Sequence, residues 1–580
     1  MDSSKYKLWQ VAKSAAKTFV VPDVPLPQLA ATLLNNRGIV EPMAVKEFLY
    51  PEYPFHLSDP FLFKDMKRVV ARIFQAIAQK QAIVVYGDYD ADGVCSAALL
   101  TTTLQALGGN IVEVYMPHRE KEGYGLNREA VNHFIANGVN LIITLDCGTT
   151  NNEEILLANS ANIDVLVIDH HHVPENLPGA YAILNPKTPG ESYPFSHLAS
   201  VGMAFKTSQA LLRQRLVEHP DESSRWESFE KWLLDLTAIA TVTDLVPLIG
   251  ENRILVKYGL MALNKTQRVG LRALVQIMGS QLGSLDTYSI AYQIGPRLNA
   301  AGRMNHANAA FELLVCEDEA KAKELAVALE SNNRERQRLT ERVVAEVREQ
   351  LRGHENDRVL VAVGDGWPVG IVGLVAGKLL EEHHRPILVV GRTDRGLAGS
   401  GRSISAFNII SALHQSPELF EKFGGHAQAC GFTVKNEEAL EELRRRLNNL
   451  AEETLSDEDL MPVLTIDAAL SLKDVQETLG ELVNLFEPFG MANPKPKFLF
   501  SNVQVVGLSN VGANGQHLKL TLSDESGVIK HAIGFNQSLA HGSLRLGDHM
   551  DAVAEIVVNV WNGRREWQLK ILDLRPSLTS

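Results

Sequence analysis

The sequence has few cysteines, no long apolar run and no apolar leader segment. Its four cysteines (Cys95, Cys147, Cys316, Cys430) are far apart and form no CxxC pair. This spacing rules out a disulfide scaffold or a zinc ribbon and fits a reducing cytoplasm. No stretch approaches the roughly 18 uninterrupted apolar residues of a membrane span. The N-terminus, MDSSKYKLWQVAKSAAKTFV, also lacks the compact apolar core and cleavage site of a secretory signal, so we expect a cytoplasmic protein without a membrane anchor.

The sequence also has no excess of basic residues. The 580 residues include 56 basic and 69 acidic side chains, which gives a formal net charge of −13. This balance counts against a protein that coats nucleic acid, although binding depends on where the basic groups cluster. With 45% hydrophobic and 22% charged residues, the composition is that of an ordinary globular protein. At roughly 100–200 residues per domain, the length allows three to five domains.

Short apolar runs separated by segments of helical length dominate the chain from residue 82 onward. Four such runs are AIVVYGD (82–88), IVEVYMP (111–117), LIITLDCG (141–148) and DVLVIDHHH (164–172). Apolar strands without alternation, separated by helices, indicate a parallel sheet covered on both faces. The predicted fold class is therefore α/β for this region.

The remaining segments suggest further parts of the architecture. Residues 317–352 contain no Pro or Gly and predict one long helix joining two lobes. A smaller α/β unit follows, with GLAGSGRS (396–403) interpreted as a glycine-rich turn, and residues 497–575 predict five strands that close into an OB-like barrel. The predicted domains are an N-terminal helical segment (1–80), a parallel-sheet domain (81–316), the connecting helix (317–352), the smaller α/β domain (353–455) and the barrel domain (456–580).

Acidic and imidazole side chains follow three of the predicted strands. Ligands of parallel sheets bind beyond the carboxyl ends of the strands, where these side chains would meet. The residues are Asp88, Asp90 and Asp92 after the first strand, Asp146 after another, and Asp169, His170, His171 and His172 after a third. Taken singly, an Asp after a strand is usually a helix N-cap, and a His pair is more often a hydrogen-bonded surface feature. Three such elements together favour a divalent cation, and the oxygen-rich donors suit Mn²⁺ or Mg²⁺.

Several motifs resemble those of a known group of enzymes. GDYDADG (87–93), TLDCG (144–148), VIDHHH (167–172) and TVTDLVPL (241–248) resemble the four motifs of the DHH phosphoesterase superfamily. The stretches GPRLNAAGRM (295–304), SGRS (400–403), GGHAQACG (424–431) and FEPFGMANPKPKF (486–498) are similar to the DHHA1 and OB parts of its RecJ branch. The resemblance covers nearly the whole chain, with the motifs in the expected order. It implies a DHH catalytic domain, a DHHA1 domain and an OB-fold domain.

The resemblance also implies roles for the acidic and histidine residues. The implied metal ligands are Asp90, Asp92, Asp146, His170 and Asp244, with Asp146 between two ions and Asp88 as an additional ligand. Asp169 is expected to orient the histidines, and His171 to meet the scissile phosphate. One departure from the family pattern is Tyr86, because many superfamily members carry a His there. This departure leaves the occupancy of the first metal position open.

A second group of residues is expected to bind DNA. By resemblance, the DHHA1 side holds the 5′-terminal phosphate and the adjacent backbone through Arg297, Asn299, Arg303, Ser400, Arg402, Ser403, Gly424, Gly425 and His426. In the barrel, aromatic and basic residues are interleaved as in base-stacking platforms, at Trp561, Arg564, Arg565 and Trp567.

The resemblance, together with the predicted cation site, implies a metal-dependent 5′-to-3′ exonuclease that hydrolyses single-stranded DNA to mononucleotides in DNA repair and recombination. One alternative is a superfamily member that cleaves oligoribonucleotides or cyclic dinucleotides, although such members are shorter and the barrel argues against them. The other is a non-catalytic DNA-binding scaffold, against which the intact acidic motifs argue. By resemblance, the expected partners are single-stranded DNA, a single-stranded-DNA-binding protein and a repair helicase, and the protein is expected to be a monomer.

Overall fold

The computed structural model of the chain describes residues 6, 8–13, 26–354, 356–393, 396–561 and 564–577. Among these residues, no helix is long and apolar enough to cross a membrane. The chain divides into two compact units. The larger unit comprises Leu57–Pro247 and Glu251–Leu460, and the smaller comprises Met1–His56, Leu248–Gly250 and Met461–Ser580.

The first sheet of the larger unit has five parallel strands. Their order across the sheet is Ile111–Tyr115, Ile83–Gly87, Leu141–Leu145, Asp164–Ile168 and Ala182–Leu184. The second, third and fourth of these strands are buried almost throughout, as their unbroken apolar sequences require. The predicted parallel sheet is therefore confirmed.

Helices cover both faces of this sheet. Arg128–Ala136 and Asn152–Ser160 pack on one face, while Ala91–Ala106 and Ser200–Glu218 contact strands from the other. The further helices of this lobe are Met66–Ala78, Ser223–Thr243, Gly250–Leu263, Val269–Ile277, Thr287–Ser289, Gly295–Met304 and Asn308–Val315, with a π-helical turn at Ile290–Ile294 and 3₁₀ turns at Pro60–Leu62 and Pro220–Glu222.

One long helix, Glu319–Gln350, joins this lobe to the second α/β lobe, as the sequence predicts. The side chain of Asp318 caps its N-terminus by accepting a hydrogen bond from the backbone N–H of Lys321. Near its C-terminal end, the buried side chains of Val343 and Val347 pack into the core of the second lobe. The helix is therefore fixed at its far end by apolar contacts.

In the described residues, the second lobe is a mixed five-stranded sheet with three helices. The strand order is Phe420–His426, Ala429–Val434, Gly396–Arg402, Ile387–Thr393 and Leu360–Asp365, and only the last two strands are parallel. The helices are Val369–His383, Ile409–Leu413 and Glu437–Thr454, with a 3₁₀ turn at Pro417–Leu419.

The predicted glycine-rich turn at residues 396–403 is wrong. Residues Gly396–Arg402 form a strand in the middle of the second sheet, so Ser400 and Arg402 lie on a strand and Ser403 directly follows it. The glycines make room for neighbouring side chains. A Cβ on Gly399 would lie 2.5 Å from Cζ of Phe432, and one on Gly401 would lie 2.6 Å from Cδ1 of Ile409. Glycine is therefore required here by close packing inside a sheet.

The smaller unit contains the predicted five-stranded barrel. Its strands are Phe498–Val511, His517–Ser523, Ile529–Gly534, His549–Trp561 and Arg564–Pro576. Pairing of the first strand with the fourth closes the barrel, which confirms the predicted OB-like fold. Around it lie the short strands Val463–Ile466 and Ala468–Ala469, the helix Glu477–Leu485 and a 3₁₀ turn at Leu472–Asp474.

The predicted N-terminal helical segment is divided between the two units. Helices Gln28–Asn36 and Pro42–Leu49 share an apolar core with the barrel, whereas Met66–Ala78 belongs to the larger unit. Leu8–Val11 is not helical but forms a strand parallel to Val463–Ile466. Periodicity predicted the helices but carries no information about which core receives each apolar face. The domain boundaries assigned from sequence remain predictions.

The packing around Gly399 leads to a stability prediction. Gly399→Ala should lower the free energy of unfolding of the second lobe by about 1–3 kcal/mol, because the new methyl group overlaps the Phe432 ring. The measurement is the thermal midpoint of the full-length protein. Gly424→Ala is the matched control, because Gly424 lies in the strand Phe420–His426 and a Cβ there would meet no atom within 4 Å. Equal midpoints for the two variants would contradict the packing argument.

Candidate metal centre and neighbouring arginines

The acidic motifs meet at the carboxyl ends of three adjacent parallel strands. Asp88 follows Ile83–Gly87, Asp146 follows Leu141–Leu145, and Asp169 follows Asp164–Ile168. Potential ligand atoms lie within 4.8 Å of one another in three groups, which are Asp146–His170–His171, Asp92–His170–Asp244 and Asp88–Asp90–Asp146. The groups overlap because Asp146 and His170 each belong to two of them. The structure thus brings together all six predicted ligands and His171.

Several buried polar atoms of this cluster lack hydrogen-bond partners. They are Oδ1 of Asp88, Oδ1 of Asp146, Nε2 of His170 and Oδ2 of Asp244. His170 Nε2 lies 3.4 Å from Asp146 Oδ1 and 3.6 Å from Asp244 Oδ2. Buried polar atoms are nearly always paired, so four unpaired atoms within one cluster fit a bound cation. The donor chemistry, carboxylate oxygens with one imidazole nitrogen, suits Mn²⁺ or Mg²⁺.

The electrostatics of the cluster lead to the same conclusion. Burial raises the pKa of Asp88, Asp92, Asp146 and Asp244, and the neighbouring carboxylates raise it further. Burial and the nearby His171 lower the pKa of His170 to about 3, so its ring is neutral and can offer a lone pair. A divalent cation would offset the repulsion among the carboxylates.

Asp90 and Asp92 also have structural roles, as the helix-capping alternative suggests. The side chain of Asp90 caps helix Ala91–Ala106 by accepting from the backbone N–H groups of Asp92 and Gly93. The carboxylate of Asp92 accepts from the backbone N–H groups of Ser200 and Val201, at the start of helix Ser200–Glu218. Both acids are therefore held rigidly by helix N-termini.

Asp169 positions the ring of His171. Its Oδ1 accepts from the ring Nδ1 of His171 at 2.9 Å and from the backbone N–H groups of His170 and His171, and its Oδ2 accepts from the N–H of Thr149. Burial alone would raise the pKa of Asp169, but the hydrogen bonds from His171 and Thr149 lower it. Asp169 bonds to the ring of His171 but only to the main chain of His170. It therefore orients the ring of His171 and not that of His170.

Arginines lie close to the acidic cluster. Burial, together with the positive charges of Arg119, Arg336 and Arg402, lowers the pKa of Arg303 to about 9, while nearby Asp90 acts in the opposite direction. Nη1 of Arg303 donates to the carbonyl of Gly370, and Nη1 of Arg402 donates to Ser400 Oγ. This concentration of positive charge beside the carboxylates is suited to hold a phosphate.

Other predicted DNA-binding residues have internal partners. Arg297 Nε donates to Glu330 Oε2 at 2.6 Å, Asn299 Oδ1 accepts from the N–H of Ala91, and Ser403 is buried and donates to the carbonyl of Phe407. Gly424, Gly425 and His426 are exposed at the end of strand Phe420–His426.

In the barrel, Trp567 is partly buried and packs against Gly480, where a Cβ would lie 2.0 Å from its ring. Its role as an open stacking surface is therefore not supported. The side chains of Trp561, Arg564 and Arg565 lie outside the described residues.

Sequence reasoning missed three neighbours of the centre. Tyr124 lies beside His171, Lys187 Nζ donates to the carbonyl of His170, and the guanidinium of Arg119 stacks over the Tyr89 ring. Only Tyr124 had a sequence signal, because it stands between two glycines in a loop that follows a strand of the sheet. Lys187 and Arg119 carry no motif that would distinguish them from surface residues.

Comparison with known proteins identifies the relatives of this chain. Sequence models match the DHH family, N-terminal domain, at residues 82–241, the DHHA1 domain at residues 356–453 and the RecJ OB domain at residues 466–573. The single-stranded-DNA-specific exonuclease RecJ of Bacillus subtilis is 40% identical over 95% of this chain and 68% of its own length. The protein of the same name from Dickeya dadantii is 33% identical over 96% of this chain and 97% of its own length.

A solved structure supports the same assignment. RecJ of Thermus thermophilus in complex with Mn²⁺ superposes with a TM-score of 0.81 at 27% sequence identity, covering 98% of this chain and 79% of that protein. A second structure of that protein, in complex with Mg²⁺, has a TM-score of 0.75 at 26% identity, covering 98% of this chain and 78% of that protein. With similarity of this extent in sequence and in fold, the chain belongs to the RecJ family of DHH phosphoesterases.

Proposed function

We propose that this protein is a metal-dependent exonuclease that hydrolyses single-stranded DNA from the 5′ end to mononucleotides, in DNA repair and recombination. The observation that carries the proposal is the buried acidic cluster, with its unpaired oxygen and nitrogen atoms, beside a group of arginines. A cation site next to a phosphate-binding surface is the arrangement that phosphodiester hydrolysis requires. The curated relatives are named single-stranded-DNA-specific exonucleases, which supports the choice of substrate.

In this proposal the predicted ligands would hold two ions of Mn²⁺ or Mg²⁺, with Asp146 available to both. The ligands are Asp88, Asp90, Asp92, Asp146, His170 and Asp244. The membership of Asp146 in two of the three overlapping groups supports its shared position. When bound, such ions polarise a phosphodiester and lower the pKa of a bound water.

The protein side chains prepare the site for the scissile phosphate. Asp169 accepts the Nδ1 hydrogen of His171. Burial opposes a charge on this ring, but the bond to Asp169 and the nearby carboxylates raise its pKa, so that a protonated Nε2 could donate to a phosphate oxygen. Burial raises the pKa of Cys147, next to Asp146, so its thiol is unsuited to be a nucleophile. We therefore expect water to attack the phosphate directly, without a covalent intermediate.

The 5′ polarity of the proposal rests on the arginines. Arg303 and Arg402, with Arg119, would hold a terminal phosphate that carries one more negative charge than an internal one. Gly424, Gly425 and His426 are exposed in the same lobe as Arg402 and would contact the adjacent backbone.

In this proposal the barrel provides additional contacts to the single-stranded DNA. Lys519 and His531 are exposed on neighbouring barrel strands and supply polar and basic contacts on its outer face. We further propose that the protein acts as a cytoplasmic monomer together with a single-stranded-DNA-binding protein and a repair helicase.

Removal of the shared carboxylate tests the metal centre. Asp146→Ala should lower the rate of hydrolysis of a single strand at least about 100-fold, because both groups that contain this residue lose a ligand. Binding of the strand, measured by fluorescence anisotropy, should change little. The control is Asp221→Ala, which removes a carboxylate from a surface 3₁₀ turn. Substantial turnover by Asp146→Ala in saturating Mn²⁺ would exclude the shared role.

The raised pKa values predict how metal binding depends on pH. In the metal-free protein the buried carboxylates hold protons that the unfolded chain releases near pH 4, so stability should fall as pH rises through their raised pKa values. Mn²⁺ replaces these protons, and its binding should tighten with pH. Because burial and the neighbouring Asp90 raise the pKa of Asp92 to about 7, the rise in thermal midpoint on adding Mn²⁺ should be larger at about pH 8 than at about pH 6. Asp146→Ala should show little rise at either pH, and an equal rise for the unchanged protein at both would contradict this account.

A substitution at Arg402 tests the proposed 5′-to-3′ direction of degradation. Arg402→Ala should reduce the preference for a strand with a 5′-phosphate over one with a 5′-hydroxyl by about tenfold, because a guanidinium facing that phosphate is lost. The measurement is the initial rate on the two strands, each labelled at its 3′ end. Arg392→Ala is the matched control, since Arg392 lies on the neighbouring strand and pairs with Glu437. Degradation of a 5′-blocked strand as fast as an open one would show that the polarity is wrong.

A further inference from the structure

A loop that follows the edge strand of the first sheet places a tyrosine beside the metal centre. The loop joins strand Ile111–Tyr115 to helix Arg128–Ala136. Within it, Tyr124 stands between Gly123 at φ 83° and Gly125 at φ 90°, in the left-handed region that favours glycine. A Cβ on Gly125 would also lie 2.8 Å from the side-chain oxygen of Asn151. Glycine is therefore needed at this position for both backbone conformation and packing.

Tyr124 contacts two functional residues at once. Its hydroxyl donates to the carbonyl oxygen of Asp146 at 2.9 Å and lies 3.0 Å from Nδ1 of His171. The rings of Tyr124 and His171 meet edge to face, with their centroids 5.4 Å apart. Asp146 has φ 66°, an unfavourable backbone conformation for a residue with a side chain. The hydrogen bond from Tyr124 holds the carbonyl group of this strained residue.

The loop is in turn anchored to the sheet. The hydroxyl of Tyr86 donates to the carbonyl of Gly125 at 2.8 Å, and Nδ2 of Asn151 donates to the carbonyl of Leu126 at 2.8 Å. Tyr86 itself is fully buried, and its ring packs against Tyr115 and Phe134. The side chain of Tyr86 thus packs in the aromatic core through its ring and bonds to the loop through its hydroxyl.

We infer that Tyr124 is a positioning residue for Asp146 and His171, and that Tyr86 acts through Gly125 to hold Tyr124 in place. This inference gives a role to Tyr86, the position at which the sequence departs from the superfamily pattern. Tyr86 supports the centre through the loop instead of supplying a ligand. The catalytic part of the inference rests on the proposed nuclease function, whereas the part that concerns cation binding does not.

The first experiment measures cation binding without DNA. Mn²⁺ is titrated into the full-length protein, and free Mn²⁺ is followed by electron paramagnetic resonance. Tyr124→Phe keeps the ring and removes the hydroxyl, and it should weaken Mn²⁺ binding by about tenfold, as loss of a supporting hydrogen bond near a metal ligand commonly does. Tyr86→Phe should weaken it in the same direction. The double variant should be no weaker than Tyr124→Phe, because both hydroxyls act through one loop.

Tyr181→Phe is the matched control and should bind Mn²⁺ as the unchanged protein does. Tyr181 contacts Arg68 near the start of strand Ala182–Leu184. Circular dichroism establishes that each variant is folded. Mn²⁺ affinity of Tyr124→Phe within twofold of the unchanged protein would overturn the inference, as would additive effects of the two substitutions.

The second experiment separates positioning from substrate binding. With a single strand and Mn²⁺ at saturation, Tyr124→Phe should lower kcat about tenfold and leave KM within about twofold, because the hydroxyl contacts protein groups. A change confined to KM would overturn the positioning role. If the unchanged protein does not cleave single strands while Tyr124→Phe still weakens Mn²⁺ binding, the proposed function fails and the inference about the cation site stands.

Discussion

The larger unit is organised around the cost of burying several carboxylates in one place. Asp88, Asp92 and Asp146 are buried and Asp244 is partly buried, and burial together with the neighbouring carboxylates raises the pKa of each. Because the carboxylates repel one another, the chain segments that carry them must be held firmly in place. The parallel sheet provides this rigidity, because three of its buried strands end at the same edge. Helix N-termini add fixed partial charges that favour the ionised acids.

Close backbone approaches complete the support of this edge. A Cβ on Gly93 would lie 2.5 Å from the backbone nitrogen of Asp88, so the acidic motif folds back on itself as only glycine permits. Gly302 similarly brings helix Gly295–Met304 against the carbonyl of Tyr89. The acids are therefore positioned by the backbone of their own motif and by an element about 200 residues further along the chain, as the bond between Asn299 and Ala91 also shows.

The sequence predicted the fold well where a pattern depended on local periodicity. Four of the five parallel strands and the five barrel strands could be identified from apolar runs, and the connecting helix from the absence of Pro and Gly, whereas the short edge strand Ala182–Leu184 was not predicted. Residues 396–402 were misjudged because glycine in a sequence usually marks a turn, whereas here it accommodates the ring of Phe432 from a neighbouring strand. That requirement depends on a contact between strands and leaves no local signal.

The candidate site likewise has residues that the sequence indicates and residues that only the structure reveals. Strand ends and the family motifs indicated the acids and His170, and the structure brings them within reach of one another. The motifs did not indicate which of the matched arginines would have internal partners, and Arg297 proved to be paired with Glu330. Lys187 was invisible to sequence analysis because its contact is with a main-chain carbonyl, which any residue at position 170 would provide.

Helix Gly295–Met304 mechanically links the two lobes of the larger unit. At one side Asn299 holds the main chain of Ala91 within the acidic motif, and at the other Arg303 donates to the carbonyl of Gly370 in the second lobe. A Cβ on Gly370 would lie 2.7 Å from the carbonyl oxygen of Arg303, so the two backbone segments are closely packed at this contact. A displacement of the second lobe would therefore act directly on this helix. Because Asn299 on this helix holds the main chain of Ala91, the second lobe and the acidic motif share one support.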